Sequence, residues 1–396
     1  MLPELPALVV TTAVADFLAA VTAAGFTGDC ETSEAARLAV ATDNSMYQVL
    51  PAAVVLPRSA GDVAVLLRTA RQHLTIALTA RGGGTSTNGQ CLTHGVVIDH
   101  SRYLDRIGEV DLATRQVRVE PGVVLDQLNA SLLKHGLQVG PTLSTSAHAT
   151  IGGMVATDAA GKGSRIFGKT SNHIVELDLV LADGTRWTSR ALEPAELAWI
   201  CDRDDAVGAL HRGLMAVIDE TRDAVAQRFP RLDRFFAGYN LARVRQEDGR
   251  FNLNWLIAGA EGTLAVVTGI TLKLVPIPRA KLLVVIRYPD FVTALRDAQT
   301  LLSRNPQAIE TIDATIVGLA RTSASWAQVS TLLPPGDGPL NLIEFTGDDA
   351  IAVAAMAADL PGRHLHRATD IAACWDLRKA GVGLLGSLPG ARKPLA

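Results

Sequence analysis

The spacing of apolar residues predicts alternating helices and strands along most of the chain. In residues 12–25, Val14, Phe17, Leu18 and Val21 share one helical face, and Gly25 follows as a C-cap. Residues 61–73 repeat the pattern with Val63, Leu66, Leu67 and Ala70. A short apolar run at 74–78 leads into a glycine cluster, and 96–99 and 116–120 read as strands. Residues 122–135 read as a helix closed by Gly136. A strand at 174–181, a turn at Asp183-Gly184 and a return strand follow. Residues 205–228 form a long amphipathic helix, 229–250 a charged surface excursion, and 255–274 strands around a turn at 259–262.

Pro276 and Pro278 punctuate the chain, and a domain boundary is expected there. Beyond them the order is strand 282–288, helix 291–304, strand 308–312, then strand 341–345, helix 348–360 and short strand 364–366. Two successive β-α-β units give the ferredoxin-like plan. A last helix at 371–388 breaks at Pro389-Gly390. The class is α+β, divided into an N-terminal helical extension at 1–48, a larger domain at 49–278 and a smaller one at 279–396.

Composition narrows the function. The chain has 396 residues, 48% hydrophobic and 5% aromatic, with a formal net charge of −3. That balance argues against a nucleic-acid binder, which would carry a basic excess or a stacking platform. No apolar run is long enough for a transmembrane helix. The nearly uncharged stretch 5–27 contains Asp16 and lacks a basic leader segment, which is not the pattern of a secretory signal. Cys30, Cys91, Cys201 and Cys374 stand apart, with no C-x-x-C pair, so metal ribbons and cluster-ligand runs are disfavoured and a reduced compartment is expected.

The 34 glycines cluster in two loops. In Gly82-Gly83-Gly84-Thr85-Ser86-Thr87-Asn88-Gly89, successive N–H groups without Cβ atoms suit an anion, and the hydroxyls add donors. A Walker A loop is excluded because no Gly-Lys-Ser/Thr follows, and a G-x-G-x-x-G fingerprint fails because Thr87 stands at its last position. A second hydroxyl-and-glycine segment spans 141–163, so a long ligand gripped at two places, such as one with a pyrophosphate, fits better than a single phosphate.

The order of motifs then carries a resemblance. Val54-Val55-x-Pro57-x-Ser59-x-x-Asp62-Val63, Arg81-Gly82-Gly83-Gly84-Thr85-Ser86, Thr150-Ile151-Gly152-Gly153, Gly168 and Gly259-Ala260-Glu261-Gly262-Thr263-Leu264 together resemble the PCMH-type FAD-binding domain of the vanillyl-alcohol-oxidase flavoenzymes. Phe26-Thr27-Gly28-Asp29, residues 41–45, Leu143-Ser144-Thr145-Ser146, Gly168-Lys169-Thr170-Ser171 and Trp375-x-x-Arg378-Lys379 look like the long bacterial FAD and iron–sulfur D-2-hydroxyglutarate dehydrogenases. The resemblance implies a two-subdomain FAD-binding domain followed by a partial ferredoxin-like cap of the FAD-linked oxidase C-terminal type. It implies FAD, held by Arg81, Gly82, Gly83, Gly84, Thr85, Ser86 and Gly89 of the first loop, by Ser144, Thr145, Thr150, Ile151, Gly152 and Thr157 of the second, and by Val175, Glu261 and Gly262. Covalent members often carry histidine where Thr85 stands, so FAD is expected to be non-covalent.

The implied activity is oxidation of a D-2-hydroxy acid, D-2-hydroxyglutarate or D-lactate, to the 2-oxo acid by hydride transfer to flavin N5. The family's base-bearing motif and cluster cysteines lie beyond the position of Ala396, so an N-terminal portion without an iron–sulfur cluster is expected. The alternatives are a non-catalytic FAD-binding module needing a partner chain, and a nucleotide-sugar reductase of the same superfamily. The partners expected are the small hydroxy acid and a downstream electron acceptor. Strand edges of an incomplete cap predict self-association. The location expected is cytoplasmic, with peripheral contact at the inner membrane left open.

Arg378 and Lys393 match family positions that contact substrate, and Arg suits a bidentate carboxylate clamp. Arg81 is expected either to pair with phosphate or to lock its loop through a carboxylate. Glu261 is expected to accept hydrogen bonds from FAD or to order its turn. His148 lies in the second loop, facing either flavin or solvent. His364 and His366 share a strand face but have no third ligand of matching spacing, so no metal is expected. Cys374 and Trp375 are expected to pack in the core, and Asp43 and Asn44 to cap a helix without chemistry.

Overall fold

The computed structural model describes residues 11–230, 232, 238–322 and 326–386. The chain divides into two compact units, Met1–Val275 and Pro276–Ala396.

In the first unit, α1 (Thr12–Ala23) forms on the predicted apolar face, and Gly25 ends it at φ +91°. A four-stranded sheet contains β1 (Asp29–Glu31), β2 (Ala53–Leu56), β3 (Leu78–Arg81) and β4 (Val96–Asp99) in the order β1-β2-β4-β3. β2, β4 and β3 run parallel, so the chain leaves the end of β3 through the glycine loop. Helix α2 (Ala60–Ala70) and α1 cover this sheet through Phe17, Val21, Leu66 and Ile98. A second, six-stranded antiparallel sheet contains β5 (Ile107–Asp111), β6 (Gln116–Val119), β7 (Ile174–Val180), β8 (Arg186–Leu192), β9 (Phe251–Asn252) and β10 (Val266–Lys273), in the order β9-β8-β7-β10-β6-β5. One face of it packs against α3 (Leu125–Leu132) and α4 (Ile151–Ala156) through Val117, Leu128, Ile151, Leu177 and Ile270. Val63 and Ala64 of α2 meet Val180 and Val266, which ties the two sheets together. The long helix at Ala206–Arg228 closes the far edge against Leu192 and Phe251.

Two local expectations change. Residues 122–124 are not helical, because Gly122 and Val123 donate to Leu104 and Glu120 and Val124 bridges to Thr150. Residues 255–257 are not strand. The Asn254 N–H is taken by the Asn252 side chain at 3.0 Å and starts a helical turn at Asn254–Ile257, so only β10 of that segment is extended.

The second unit is one antiparallel sheet of β11 (Ala280–Arg287), β12 (Ala308–Ile312), β13 (Leu340–Gly347) and β14 (Arg363–Leu365), in the order β12-β13-β11-β14. Read from the other edge, that is fourth, first, third, second: the ferredoxin-like arrangement. Helices at Phe291–Leu301 and Ala350–Ala355 cover one face through Ala294, Leu301 and Val353. Helix α5 (Ala368–Gly386) covers the other through Ile371, Cys374 and Leu377. His366 falls past the end of β14, and the His364 ring is engaged with the Leu360 carbonyl at 2.9 Å.

Candidate cofactor site

The first loop is built around Arg81. The residue closes β3 and is buried, and its guanidinium turns inward. Nη2 donates to the Thr42 carbonyl at 2.8 Å and Nη1 to Cys91 Sγ at 3.1 Å. Burial holds the Cys91 thiol above its usual pKa even beside Arg81, so the sulfur is a neutral acceptor. Of the two roles expected for Arg81, the structure displays loop locking, with a carbonyl and a thiol in place of the carboxylate. Gly84 wraps over the guanidinium at φ +62°, where a Cβ would lie 2.3 Å from Nη2.

Asp43 and Asn44 do not cap a helix. Asp43 Oδ2 accepts the Gly89 N–H at 3.0 Å, and the Asn44 N–H donates to the Ser86 carbonyl at 3.0 Å. They pin the far side of the loop. Sequence reading missed them because their partners lie more than a helical turn away, where no periodicity points.

Held in this way, the loop has donors to spare. The backbone N–H groups of Gly83, Gly84, Thr85 and Ser86 have no partner among the described residues, and neither do the hydroxyls of Thr85 and Ser86. Consecutive unspent N–H groups in a fixed, half-exposed turn form an anion cradle. Gly89 stands at φ +79°.

The second loop packs directly on the first. A Cβ at Gly82 would sit 2.1 Å from Thr150 Oγ1, and one at Gly83 would sit 1.9 Å from the His148 carbonyl oxygen. These two glycines are therefore needed for loop-to-loop contact. Thr150 caps α4 by accepting the Gly153 N–H at 3.3 Å, while Ile151 and Gly152 donate to Val123 and Pro121 at 2.8 Å. The amides of the first turn of α4 are thus already committed to protein acceptors. The Ser144 and Thr145 hydroxyls have no partner among the described residues, and His148 is exposed. Just past the end of β4, His100 is buried with Nε2 unpartnered, and burial lowers its pKa so that the ring is neutral.

The third segment joins at the end of α4. Gly259 and Glu261 donate to the carbonyls of Val155 and Ala156 at 3.0 and 2.9 Å. Glu261 adopts φ +52° and Gly262 φ +75°, and Glu261 Oε1 accepts from Gln90 Nε2 of the first loop at 3.3 Å. Thr157 Oγ1 returns to the Gly153 carbonyl at 3.1 Å. Asp158 (φ +46°) makes a buried ion pair with Lys169 and accepts the Ser171 N–H at 2.9 Å. The Val175 carbonyl accepts from Asn254 Nδ2 at 3.1 Å. The three glycine-containing segments therefore form one continuous surface. A separate groove of about 1080 Å³ is lined by Arg118, Asp178, Arg186 and Thr268 of the six-stranded sheet, and no residue of the glycine loops lines it.

In the second unit, Arg378 of α5 donates through Nε to Glu310 Oε2 at 3.0 Å. One turn earlier, Trp375 Nε1 donates to Glu344 Oε2 at 2.7 Å, so Trp375 is more than a packing residue. Cys374, just before Trp375, is buried, its thiol pushed up to about 12 by burial. Lys393 lies outside the described residues.

Comparison with known proteins places this architecture. Residues 51–190 match the FAD binding domain family, and residues 277–396 match the C-terminal domain of FAD linked oxidases. Over most of its length the fold is shared with solved structures. It superposes on alkyldihydroxyacetonephosphate synthase with a TM-score of 0.65 at 18% identity, covering 94% of this chain and 68% of that one. It superposes on Physcomitrella patens BBE-like 1 with a TM-score of 0.56 at 15% identity, covering 94% and 68%. The chain is 40% identical to D-2-hydroxyglutarate dehydrogenase of Pseudomonas putida over 96% of its own length and 40% of the relative's. It is 39% identical to that of Escherichia coli with the same coverage. D-lactate dehydrogenase of Archaeoglobus fulgidus is 26% identical over 80% of this chain and 59% of its own length. The chain spans about 40% of the length of the dehydrogenases it matches at 37–40% identity.

Proposed function

We propose that the chain binds FAD without a covalent link on the three-loop surface and serves the oxidation of a D-2-hydroxy acid, D-2-hydroxyglutarate first and D-lactate second. The observation that carries the reading is the cradle of unspent donors at Gly83, Gly84, Thr85 and Ser86, inside the segment that matches FAD binding domains. The fit extends along the surface, where the Ser144 and Thr145 hydroxyls supply further unspent donors. When bound, the flavin supplies a two-electron hydride acceptor. The substrate loses a hydride from its α-carbon and a proton from its hydroxyl, leaving the 2-oxo acid. Arg378 and Lys393 are assigned to the substrate carboxylate, on their resemblance to family positions that contact substrate and on Arg's planar fork.

We place no iron–sulfur cluster on the four cysteines: Cys91 is engaged by Arg81 and Cys201 contacts Met215 Sδ at 3.5 Å. Electrons pass to a separate acceptor. No helix of the described residues is long and apolar enough to cross a membrane, and we propose a cytoplasmic site of action and self-association of the chain. A second reading is an FAD-binding module whose turnover needs a partner chain.

One experiment separates these. Purified protein titrated with FAD should turn yellow with a perturbed flavin spectrum, and anaerobic D-2-hydroxyglutarate should bleach it. Bound but unbleached flavin selects the second reading, and absence of flavin binding sinks both.

A further inference from the structure

We infer that Glu310 is a positioning residue: it fixes the Arg378 guanidinium by its Nε edge so that the Nη edge is presented to a substrate carboxylate. The inference rests on the assignment of Arg378 to the substrate carboxylate. Both residues belong to the second unit, Arg378 on α5 and Glu310 on β12.

The argument begins with what the guanidinium has spent. It carries five N–H donors in a rigid plane. Nε takes Glu310 Oε2 at 3.0 Å, and the Nη groups have no partner among the described residues. The side chains of Arg378 and Glu310 are 35% and 28% exposed, so the pair sits at a rim that a small anion can reach. A carboxylate binds a guanidinium best through two parallel hydrogen bonds, which demands a fixed plane. One acceptor on the Nε side supplies that constraint and leaves the outer edge free.

The helix does not need Glu310 to stay in place. Ile371, Cys374 and Leu377 bury its inner face. Trp375, three residues before Arg378, is held to Glu344, which is 1% exposed. In the β12–β13 register Ala308 pairs with Glu344 and Glu310 with Leu342, so the two carboxylates are diagonal neighbours on the sheet face under α5. The Glu344 contact anchors the helix, and the half-exposed Glu310 contact orients one side chain.

Positioning and simple charge balance predict opposite signs. If Glu310 only offset the Arg378 charge, its removal would strengthen anion binding. If it orients the guanidinium, its removal weakens binding although a negative charge has been lost.

The test uses the FAD-loaded full chain and 2-oxoglutarate as an unreactive carboxylate probe, with Kd measured by calorimetry. Anaerobic flavin reduction by D-2-hydroxyglutarate separates apparent Kd from limiting rate. Glu310→Ala should weaken 2-oxoglutarate binding about tenfold, as expected for a lost charge-assisted hydrogen bond, with a smaller effect on the limiting rate. Glu310→Gln, which keeps an acceptor, should restore most of the affinity. Unchanged or tighter binding in Glu310→Ala overturns the inference. If Glu310→Ala does not fold, Glu310→Asp replaces it: the shorter acid should bind more weakly than Glu310→Gln, and equal binding by the two overturns the inference. Arg378→Ala reports on the underlying reading. If it binds 2-oxoglutarate as the parent does, or if the parent itself does not bind, the assignment of Arg378 fails and the inference with it. If Arg378→Ala loses binding while Glu310→Ala does not, only the role of Glu310 fails.

Discussion

Arg81 Nη2 donates to the Thr42 carbonyl at 2.8 Å, and the glycine loop that starts at the next residue folds back over that guanidinium. The cation that opens the loop is therefore used for its shape. Its other Nη reaches Cys91, so one side chain ties the end of β3 both to the chain just past the loop and to the distant Thr42 segment. A loop locked from beneath can leave its outer N–H groups without partners and still hold one conformation.

Arg81→Lys should disable that lock. A lysine ammonium can reach one of the two acceptors but lacks the planar fork that spans both. The variant should fold and bind FAD about tenfold or more weakly, the scale of one lost charge-assisted hydrogen bond. Flavin fluorescence titration checks this, and affinity equal to the parent's would show that the loop holds its shape without Arg81.

Gly84→Ala strikes the same place from above. At φ +62° a side chain costs about 1–2 kcal/mol in backbone strain, and a Cβ 2.3 Å from Arg81 Nη2 forces the guanidinium to move. The expected outcome is lower FAD affinity with a melting temperature reduced by a few degrees. Gly136→Ala is the comparison: it has a similar φ of +66° but nothing within 4 Å of the added Cβ, so it should lose stability by a like amount and keep FAD affinity.

The glycines mark what the sequence makes legible. Gly25 and Gly136 announce themselves as helix ends because local backbone geometry alone requires them there. The four strands and three covering helices of the second unit follow from period-2 and period-3.6 apolar spacing, which is also local. The loop-forming role of residues 82–89 is visible as composition. Contacts that hold the site are another matter: Asp43 to Gly89, Arg81 to Thr42 and Arg378 to Glu310 join residues 46, 39 and 68 positions apart. Nothing periodic connects such partners. Asp43 therefore reads as a helix cap, and Arg81 as a phosphate ligand with equal right.

Asp158 and Lys169 offer a test of how the end of the second segment is held. Their ion pair is buried, with side chains 10% and 7% exposed. Asp158→Asn keeps a residue that tolerates φ > 0 and an acceptor for the Ser171 N–H, so it isolates the lost charge. Removing one member of a buried pair should cost about 3 kcal/mol. Urea unfolding measures it, and a change below about 0.5 kcal/mol, the scale of a surface substitution, would mean that solvent or other groups replace the carboxylate.

Stability should also fall on mild acidification, and the histidines say why. His100, His173 and His211 each have a lowered pKa, burial being the leading cause. In the folded chain they remain neutral below the pH at which an unfolded histidine, with a pKa of about 6.5, takes up a proton. The unfolded state then binds more protons than the native state, so unfolding free energy rises with pH in that window. The contribution of these rings is complete above about pH 6.5 and is lost as pH falls through their folded values. Urea unfolding between pH 7.5 and 5 should show the decline. In His173→Gln, the amide can still meet the Phe167 carbonyl that lies 2.8 Å from Nε2, and the slope should flatten. A slope identical to the parent's would assign the acid sensitivity to the other two rings or to carboxylates.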